Sequence, residues 1–239
     1  MIQSGPSAAL IPNLVWRTLH WPCWVLCRTW LRVGCSGLEN IDNTKGGLLL
    51  VNHQSFLDPL LAALWLTRPV SYLARDSLFK VPVVGWLLRH TNVIPISREA
   101  ARGGSIRLAL ERLEQGFLIG IFPEGTRSSG TEVRAFRPGF LAMVRRTNQP
   151  VYPVGIVGSS RAMPRGAWWI RPGRIQVVYG TPFTPEEMAS LQSGDDAAFC
   201  ELRGNAFLHA WRLRRRNSAA SLRRFLEALN PGSEWYPEF

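Results

Sequence analysis

The sequence is short of the residues that build several classes of site. Its four cysteines, Cys23, Cys27, Cys35 and Cys200, are too few and too irregularly spaced for a disulfide framework, and no Cys/His spacing suggests zinc. No GxSxG nucleophile motif is present, and no glycine loop carries the lysine of a Walker motif. These absences predict reduced thiols, no structural metal and no serine or cysteine nucleophile.

Acidic residues are also scarce relative to basic ones. Lysine plus arginine number 28 against 17 aspartate plus glutamate, a formal net charge of +11, and only Lys45 and Lys80 among the cations are lysines. A basic surface favours nucleic acid, anionic lipid or phosphorylated substrates, and the planar fork of arginine suits phosphate. The arginine bias can equally reflect genomic base composition, so charge alone leaves the partner open.

No uninterrupted apolar run approaches the roughly 20 residues of a membrane-spanning helix. The apolar stretch 8–33 is broken by Arg17, Pro22 and Arg28, and four tryptophans alternate with its arginines. Indole rings and guanidinium groups suit the headgroup level of a bilayer. We therefore interpret residues 1–36 as an amphipathic helical segment at a membrane surface; the alternative is a helix pair packed on the domain's own core.

The rest of the chain divides into a central domain, 37–195, and a basic helical region, 196–239. In the central domain, β-rich runs alternate with helical stretches such as Ser105–Gln115, which predicts an α/β fold with a largely parallel or mixed sheet flanked by helices. The spacing of apolar residues in the C-terminal region predicts an amphipathic helix that packs against the core. The alternative is that this helix makes a second contact with anionic lipid. The predicted strands are Leu48–Val51, Val70–Leu73, Val93–Ser97, Phe117–Phe122, Val151–Val157 and Ile175–Tyr179.

His53 and Asp58 are the first candidates for chemistry. They lie in a turn between a predicted strand and a helix that begins near Pro59. A folded turn of this length brings the carboxylate against one imidazole nitrogen and leaves the other free to take a proton from a hydroxyl. The alternative is that Asp58 is only a helix N-cap and His53 a polar loop residue.

The loop after the Phe117–Phe122 run is the second candidate. Gly125 permits close approach of a ligand, Thr126 offers a hydroxyl and Arg127 can hold a phosphate with two parallel bonds. Glu124 is placed to orient Arg127 or to meet a substrate hydroxyl. With no protein nucleophile, a histidine base here implies direct attack by a substrate hydroxyl or by water.

These segments resemble the 1-acylglycerol-3-phosphate acyltransferase family. The sequence NHQSFLD at 52–58 is similar to its NHxxxxD signature, and FPEGTRS at 122–128 is similar to its FPEGTRS signature. Together with four further blocks, the resemblance covers about residues 37 to 185. Those blocks are 79–85, 94–98, 136–139 and 151–156.

The resemblance implies acyl transfer from a thioester to the sn-2 hydroxyl of 1-acylglycerol-3-phosphate, giving phosphatidate. It implies no metal and no bound cofactor, since acyl-coenzyme A or an acyl carrier protein thioester is a co-substrate. Location on the cytoplasmic face of a bacterial or plastid-type membrane is expected. The implied roles are His53 as base, Asp58 as its orienter, Glu124, Gly125, Thr126, Arg127 and Arg98 on the phosphate, and Pro153 on the acyl-substrate side. Arg75 is a further candidate for the phosphate, with a surface salt bridge as the alternative.

Departures from the family pattern leave the identity of the acyl acceptor open. Thr91 or Asn92 stands where a glycine is common, and Ser97 where an aspartate often precedes the arginine. Another lysophospholipid or glycerol-3-phosphate is therefore an alternative acceptor. A noncatalytic protein binding anionic lipid is the alternative of a different class, and no recognised module predicts nucleic-acid binding.

Overall fold

Short apolar runs form the strands of one sheet in the part of the chain that the computed structural model describes, residues 14–96, 104–128 and 141–183. The sheet has seven strands. They are β1 (Gly34–Ser36), β2 (Gly47–Val51), β3 (Val70–Arg75), β4 (Ile94–Ile96), β5 (Leu118–Ile121), β6 (Val151–Val157) and β7 (Gln176–Tyr179).

The sheet is mostly parallel, in the order β1-β7-β6-β2-β5-β3-β4. Neighbouring strands run parallel except β6 and β7, which are antiparallel. The predicted α/β fold with a largely parallel or mixed sheet is confirmed. Because β6, β2 and β5 are adjacent and parallel, the turns that follow them meet at one edge, where ligands of such sheets bind.

Helices cover both faces of the sheet, because successive side chains of a strand point to opposite faces. On β2, Leu49 and Val51 belong to the core of a first face, whereas Leu48 and Leu50 belong to the core of a second face. The helices are α1 (Leu14–Thr29), α2 (Asp58–Ala63), α3 (Pro82–His90), α4 (Gly104–Glu114), α5 (Leu141–Arg146) and α6 (Ser159–Ala162). The first face carries residues of α1, α2 and α6, and the second carries residues of α4 and α5.

The six predicted strands are present, with shifts of a few residues at their ends. The strand Val151–Val157 has its predicted bounds, and the strand predicted to end at Leu73 extends to Arg75. The helix predicted at Ser105–Gln115 runs from Gly104 to Glu114. β1 is absent from the prediction because its run of Gly, Cys and Ser shows no apolar alternation.

Residues 31–36, on the N-terminal side of the predicted domain boundary, pack with the sheet. Leu31 and Val33 are fully buried in the core of the first face, and β1 pairs with β7. The preceding helix α1 ends at Thr29 and buries Cys27 on its inner side. No helix in the described part of the chain is long and apolar enough to cross a membrane.

Candidate active site

Asn52 directly follows β2 and fixes the following turn against β6. Its buried Nδ2 donates to the Ile156 carbonyl at 2.9 Å, and the Ile156 N–H donates to its Oδ1 at 2.6 Å. These bonds extend the ladder beyond the pairing of Val51 with Val154. Because both ends of the amide are bonded, Asn52 sets the point at which His53 leaves the sheet.

His53 and Asp58 are in contact within this turn, as predicted. Nδ1 of His53 lies 3.0 Å from Oδ2 of Asp58, whose side chain is fully buried. The same oxygen accepts the backbone N–H groups of Gln54 and Ser55, each at 2.6 Å. This contact selects the tautomer with the proton on Nδ1. Nε2 makes no hydrogen bond to the described residues, and the His53 side chain is 19% exposed.

The alternative reading of Asp58 as a helix cap is wrong. Asp58 is the first residue of α2, and the cap position is held by Leu57, which forms no side-chain cap bond. The Asp58 carboxylate instead accepts from residues that precede it in the chain. The five-residue spacing therefore builds the oriented imidazole that general-base chemistry requires.

The loop after β5 holds the backbone of His53 on both sides. Oε1 of Glu124 accepts the His53 N–H at 2.7 Å, and the Ser128 N–H donates to the His53 carbonyl at 2.9 Å. Gly125 permits this tight loop, since its φ is +66° and its N–H donates to the Phe122 carbonyl. Glu124 is only 2% exposed, so its described contact positions the histidine.

Three stacked rings set the plane of the imidazole. The Phe122 ring lies 4.1 Å from that of His53, and the Tyr72 ring lies 5.7 Å from that of Phe122. A Cβ at Gly120 would overlap the Tyr72 ring, so this glycine makes room for the stack. Burial, with the nearby charge of Asp58, raises the pKa of the Tyr72 hydroxyl. That hydroxyl therefore stays protonated at physiological pH.

Arg127 provides positive charge beside the dyad. Its guanidinium carbon lies 4.0 Å from the centre of the Phe56 ring, a cation–π contact. Burial lowers the pKa of Arg127, and the charge of Arg165 lowers it further, whereas Asp58 acts in the opposite direction. A guanidinium stays charged at physiological pH despite such shifts. Two neighbouring arginines thus make this side of the turn attractive to an anion.

The other predicted site residues are placed as follows. Gly125 is exposed and Thr126 half-buried, on the same loop as the guanidinium. Arg75 is the exposed last residue of β3, two strands away from β2, and Pro153 is buried within β6. The predictions that lie outside the described residues are Ser97, Arg98, the segment 136–139 and the basic region 196–239.

Five residues that build the site have no role in the sequence-based prediction: Asn52, Phe56, Tyr72, Phe122 and Arg165. Asn52, Phe56 and Phe122 lie within the two signatures, so their places in the motifs are the available signal. The contact of Phe56 with Arg127, the stacking of Tyr72 on Phe122 and the charge of Arg165 join distant parts of the chain, which no local pattern indicates.

The described residues at this edge of the sheet do not form a metal site. Among the residues that the structure describes, no group of three or more His, Cys, Asp or Glu side chains is placed to hold a metal ion. The charged groups beside His53 suit an anionic ligand instead.

Known proteins match the region that contains this turn and loop. Residues 32–157, more than half of the chain of 239 residues, match the family described as Acyltransferase. The chain belongs to the acyltransferase family. The matched region of this acyltransferase includes His53, Asp58 and the loop that carries Arg127.

Several members of the family are similar to this chain. A 1-acyl-sn-glycerol-3-phosphate acyltransferase of Pseudomonas aeruginosa is 32% identical over 153 residues, 63% of this chain and 58% of that protein. The chloroplastic LPAT1 of Arabidopsis thaliana is 29% identical over 155 residues, 63% of this chain and 43% of that protein. The chain thus spans less than half the length of this chloroplast relative.

A solved structure supports the same assignment. The crystal structure of the 1-acyl-sn-glycerophosphate (LPA) acyltransferase PlsC from Thermotoga maritima is 29% identical to this chain. The TM-score is 0.61, over 78% of this chain and 79% of that one. The mostly parallel sheet with its flanking helices therefore matches the fold of a solved acyltransferase, and the match covers most of both chains.

Proposed function

We propose that this acyltransferase moves a fatty acyl group from an acyl thioester to the sn-2 hydroxyl of 1-acylglycerol-3-phosphate, giving phosphatidate. The observation that carries the proposal is the 3.0 Å contact between His53 and a fully buried Asp58. A protein that only binds lipid has no use for an oriented imidazole. The similar proteins named as 1-acyl-sn-glycerol-3-phosphate acyltransferases support this acceptor.

The proposed reaction is a direct transfer with His53 as the base. Nε2 of His53 takes the proton of the hydroxyl as its oxygen bonds to the thioester carbonyl carbon. The C–S bond then breaks, and the imidazolium returns the proton to the departing sulfur, so a free thiol leaves. Asp58 stabilises the imidazolium throughout. A positioned base of this kind contributes about 10²–10⁴ in rate.

Arg127 is the proposed ligand of the acceptor's phosphate. Its guanidinium is held over the Phe56 ring, so two parallel N–H groups can face the anion in a fixed direction. Glu124 serves the site by holding His53. The remaining assignments follow the family resemblance: Gly125 and Thr126 beside the phosphate, Arg98 and Arg75 as further cations, and Pro153 on the acyl-substrate side.

The proposed acceptor is a lysophospholipid that resides in a membrane, so the enzyme has to work at a membrane surface. Helix α1 has the composition of a helix that lies at such a surface. Trp21 is 70% exposed and Trp24 36% exposed on this helix, whose only buried residue is Cys27. We assign α1 to the headgroup level on the cytoplasmic face of a bacterial or plastid-type membrane. No bound cofactor is proposed, because acyl-coenzyme A or acyl carrier protein delivers the acyl group as a co-substrate.

Thiol release tests the proposal. Wild type, His53→Ala and His90→Ala are compared with acyl-coenzyme A or acyl carrier protein thioesters and lysophosphatidate in mixed micelles. His90 is an exposed histidine of α3 and serves as the matched control. We expect acceptor-dependent release that falls by about 10³ in His53→Ala only. Equal release from wild type and His53→Ala would remove this histidine from the chemistry.

The acceptor panel separates the alternatives. Other lysophospholipids and glycerol-3-phosphate are assayed beside lysophosphatidate at equal concentration. Faster turnover of one of them would reassign the acceptor within the same reaction. No release with any acceptor, from protein with an intact melting transition, would favour the noncatalytic lipid-binding alternative.

A further inference from the structure

The loop between α6 and β7, residues 163–175, presents tryptophans for which the proposed chemistry has no use. Trp168 is 90% exposed and Trp169 is 50% exposed. Adjacent indole rings in water form an apolar surface of the kind that marks an interaction site. We name residues 163–175 the tryptophan loop.

The tryptophan loop is held by an ordered backbone, so its rings are presented outward by the fold. The Ala167 N–H donates to the Pro164 carbonyl at 3.0 Å, and the Arg171 N–H donates to the Ala162 carbonyl at 2.9 Å. Ile170, next to the exposed pair, packs against the core of the first face. The loop is therefore anchored on one side and apolar on the other.

The end of α1 is joined to the tryptophan loop. The indole N–H of Trp30 donates to the Ile170 carbonyl at 3.1 Å, and the Gly173 N–H donates to the Trp30 carbonyl at 3.3 Å. Trp30 is itself 44% exposed. The loop and the end of α1 thus form one surface with three exposed indoles.

The charge of this surface has one sign. Neither residues 14–33 nor residues 163–175 contain an aspartate or a glutamate. The two segments carry six arginines, all exposed: Arg17, Arg28, Arg32, Arg165, Arg171 and Arg174. These guanidinium groups form no ion pair with the described residues, and indole rings beside such groups match the boundary of a bilayer whose phosphates are anionic.

We propose that the tryptophan loop is a second membrane contact, which inserts Trp168 and Trp169 at the headgroup level of an anionic phospholipid bilayer beside α1. This inference rests on the proposed attachment of α1 to a membrane. It also gives the bilayer a fixed position relative to the active site. The loop begins at Met163, whose carbonyl accepts the Ser55 hydroxyl at 2.9 Å, and Ser55 belongs to the turn of His53. A lysolipid leaving the bilayer at this loop therefore emerges beside the catalytic turn.

The first test measures cosedimentation of the full chain with vesicles of phosphatidylglycerol and phosphatidylcholine in equal parts. Trp168→Ser/Trp169→Ser is compared with wild type and with Trp168→Phe/Trp169→Phe. We expect the serine variant to lose about tenfold or more in vesicle affinity and the phenylalanine variant to keep most of it, with equal melting temperatures. Wild-type affinity in the serine variant would overturn the proposal.

A second comparison tests the charge. Arg171→Gln/Arg174→Gln removes two cations from the surface, and Arg107→Gln/Arg146→Gln removes two from α4 and α5 on the opposite face of the sheet. We expect about a tenfold loss of affinity in the first variant and little change in the second. Equal losses would overturn the proposal, because they would report net charge alone.

Two further outcomes are decisive. Equal binding to pure phosphatidylcholine would overturn the assignment of an anionic bilayer, and stronger binding to an oligonucleotide than to vesicles would assign the surface to nucleic acid. If wild type binds no vesicle at all, the proposed attachment of α1 fails as well. If wild type binds but the serine variant is unaffected, only the tryptophan loop is excluded.

Discussion

At the scale of single residues, Oδ2 of Asp58 is the acceptor shared by His53 and two backbone amides, so one atom fixes both the imidazole and its turn. Asp58→Asn preserves the size of the side chain but removes the charge that these donors face. We expect kcat to fall by about 10³–10⁴, as for other oriented histidine bases, with little change in KM for lysophosphatidate. Steady-state kinetics with a melting curve checks this. A kcat within about threefold of wild type would contradict the orienting role.

Two variants of the stacked rings test whether activity depends on the stacking against His53 or on the Tyr72 hydroxyl. Phe122→Leu removes the ring that lies 4.1 Å from His53, so we expect kcat to fall by about tenfold. In Tyr72→Phe the ring stays, and only a buried hydroxyl without a described hydrogen-bond partner is lost. Loss of such a group leaves the free energy of unfolding equal or about 1 kcal/mol higher. Steady-state kinetics and thermal melts of both variants measure these effects. An equal loss of kcat in Phe122→Leu and Tyr72→Phe would show that activity depends on the Tyr72 hydroxyl.

Arg127 tests the phosphate assignment through KM. Arg127→Lys keeps the charge but loses the planar fork, so we expect KM for lysophosphatidate to rise by about tenfold. Phe56→Leu loses only the cation–π contact, worth about 0.5–1 kcal/mol at an exposed site, and KM should rise about threefold. Arg107→Lys is the control, because its side chain is 83% exposed on α4. An unchanged KM in Arg127→Lys would place the phosphate elsewhere.

At the scale of secondary-structure elements, Asn52 joins the ends of β2 and β6 through two bonds of one buried amide. Asn52→Ala leaves the N–H and the carbonyl of Ile156 buried without these partners, and each such group costs about 1–3 kcal/mol. We expect the melting temperature to fall by about 5 °C or more and kcat to fall with it. Thermal melts and kinetics on the same preparation check this. A variant with the melting temperature and kcat of wild type would show that neither stability nor activity depends on the two bonds between Asn52 and Ile156.

The elements differ in how far the sequence predicts them. Apolar runs such as Val151–Val157 indicate their strands directly, because burial on both faces requires unbroken apolar residues. β1 has three residues and no such run, and it is a strand only because β7 lies beside it. The site divides in the same way. The sequence predicts the contact of His53 with Asp58, because both residues lie in one short turn. It does not predict the contact of Arg127 with Phe56, because these residues lie in two loops that only the folded sheet brings together.

At the scale of the whole molecule, the two faces of the sheet differ in the elements that they carry. The second face packs α4 and α5 over an apolar core. The first face carries α1 and α6, and the loop after α6 contacts both the end of α1 and the turn of His53. The surface that we assign to the membrane and the catalytic turn are therefore connected through hydrogen bonds on one side of the molecule. Such a layout suits an acceptor that lives in a bilayer.

The first face also predicts a response of the whole fold to alkaline pH. Burial raises the pKa of Cys27 to about 11 and that of Cys35 to about 12, from 9.0 for a free thiol. Below pH 9 both thiols are protonated in the folded and in the unfolded chain, so their contribution to the free energy of unfolding is fully present. Above pH 9 the unfolded chain loses them first, and the free energy of unfolding falls as the pH rises through the folded values.

We therefore expect the melting temperature to fall steadily from about pH 9 to pH 11, with a shallower slope in Cys27→Ala. The slope is the readout, because this variant also loses packing and melts lower at every pH. Scanning calorimetry under reducing conditions measures it. Identical slopes in the variant and wild type would show that the Cys27 thiol titrates alike in both states of the chain. That result would contradict the burial of Cys27 against the core of the first face.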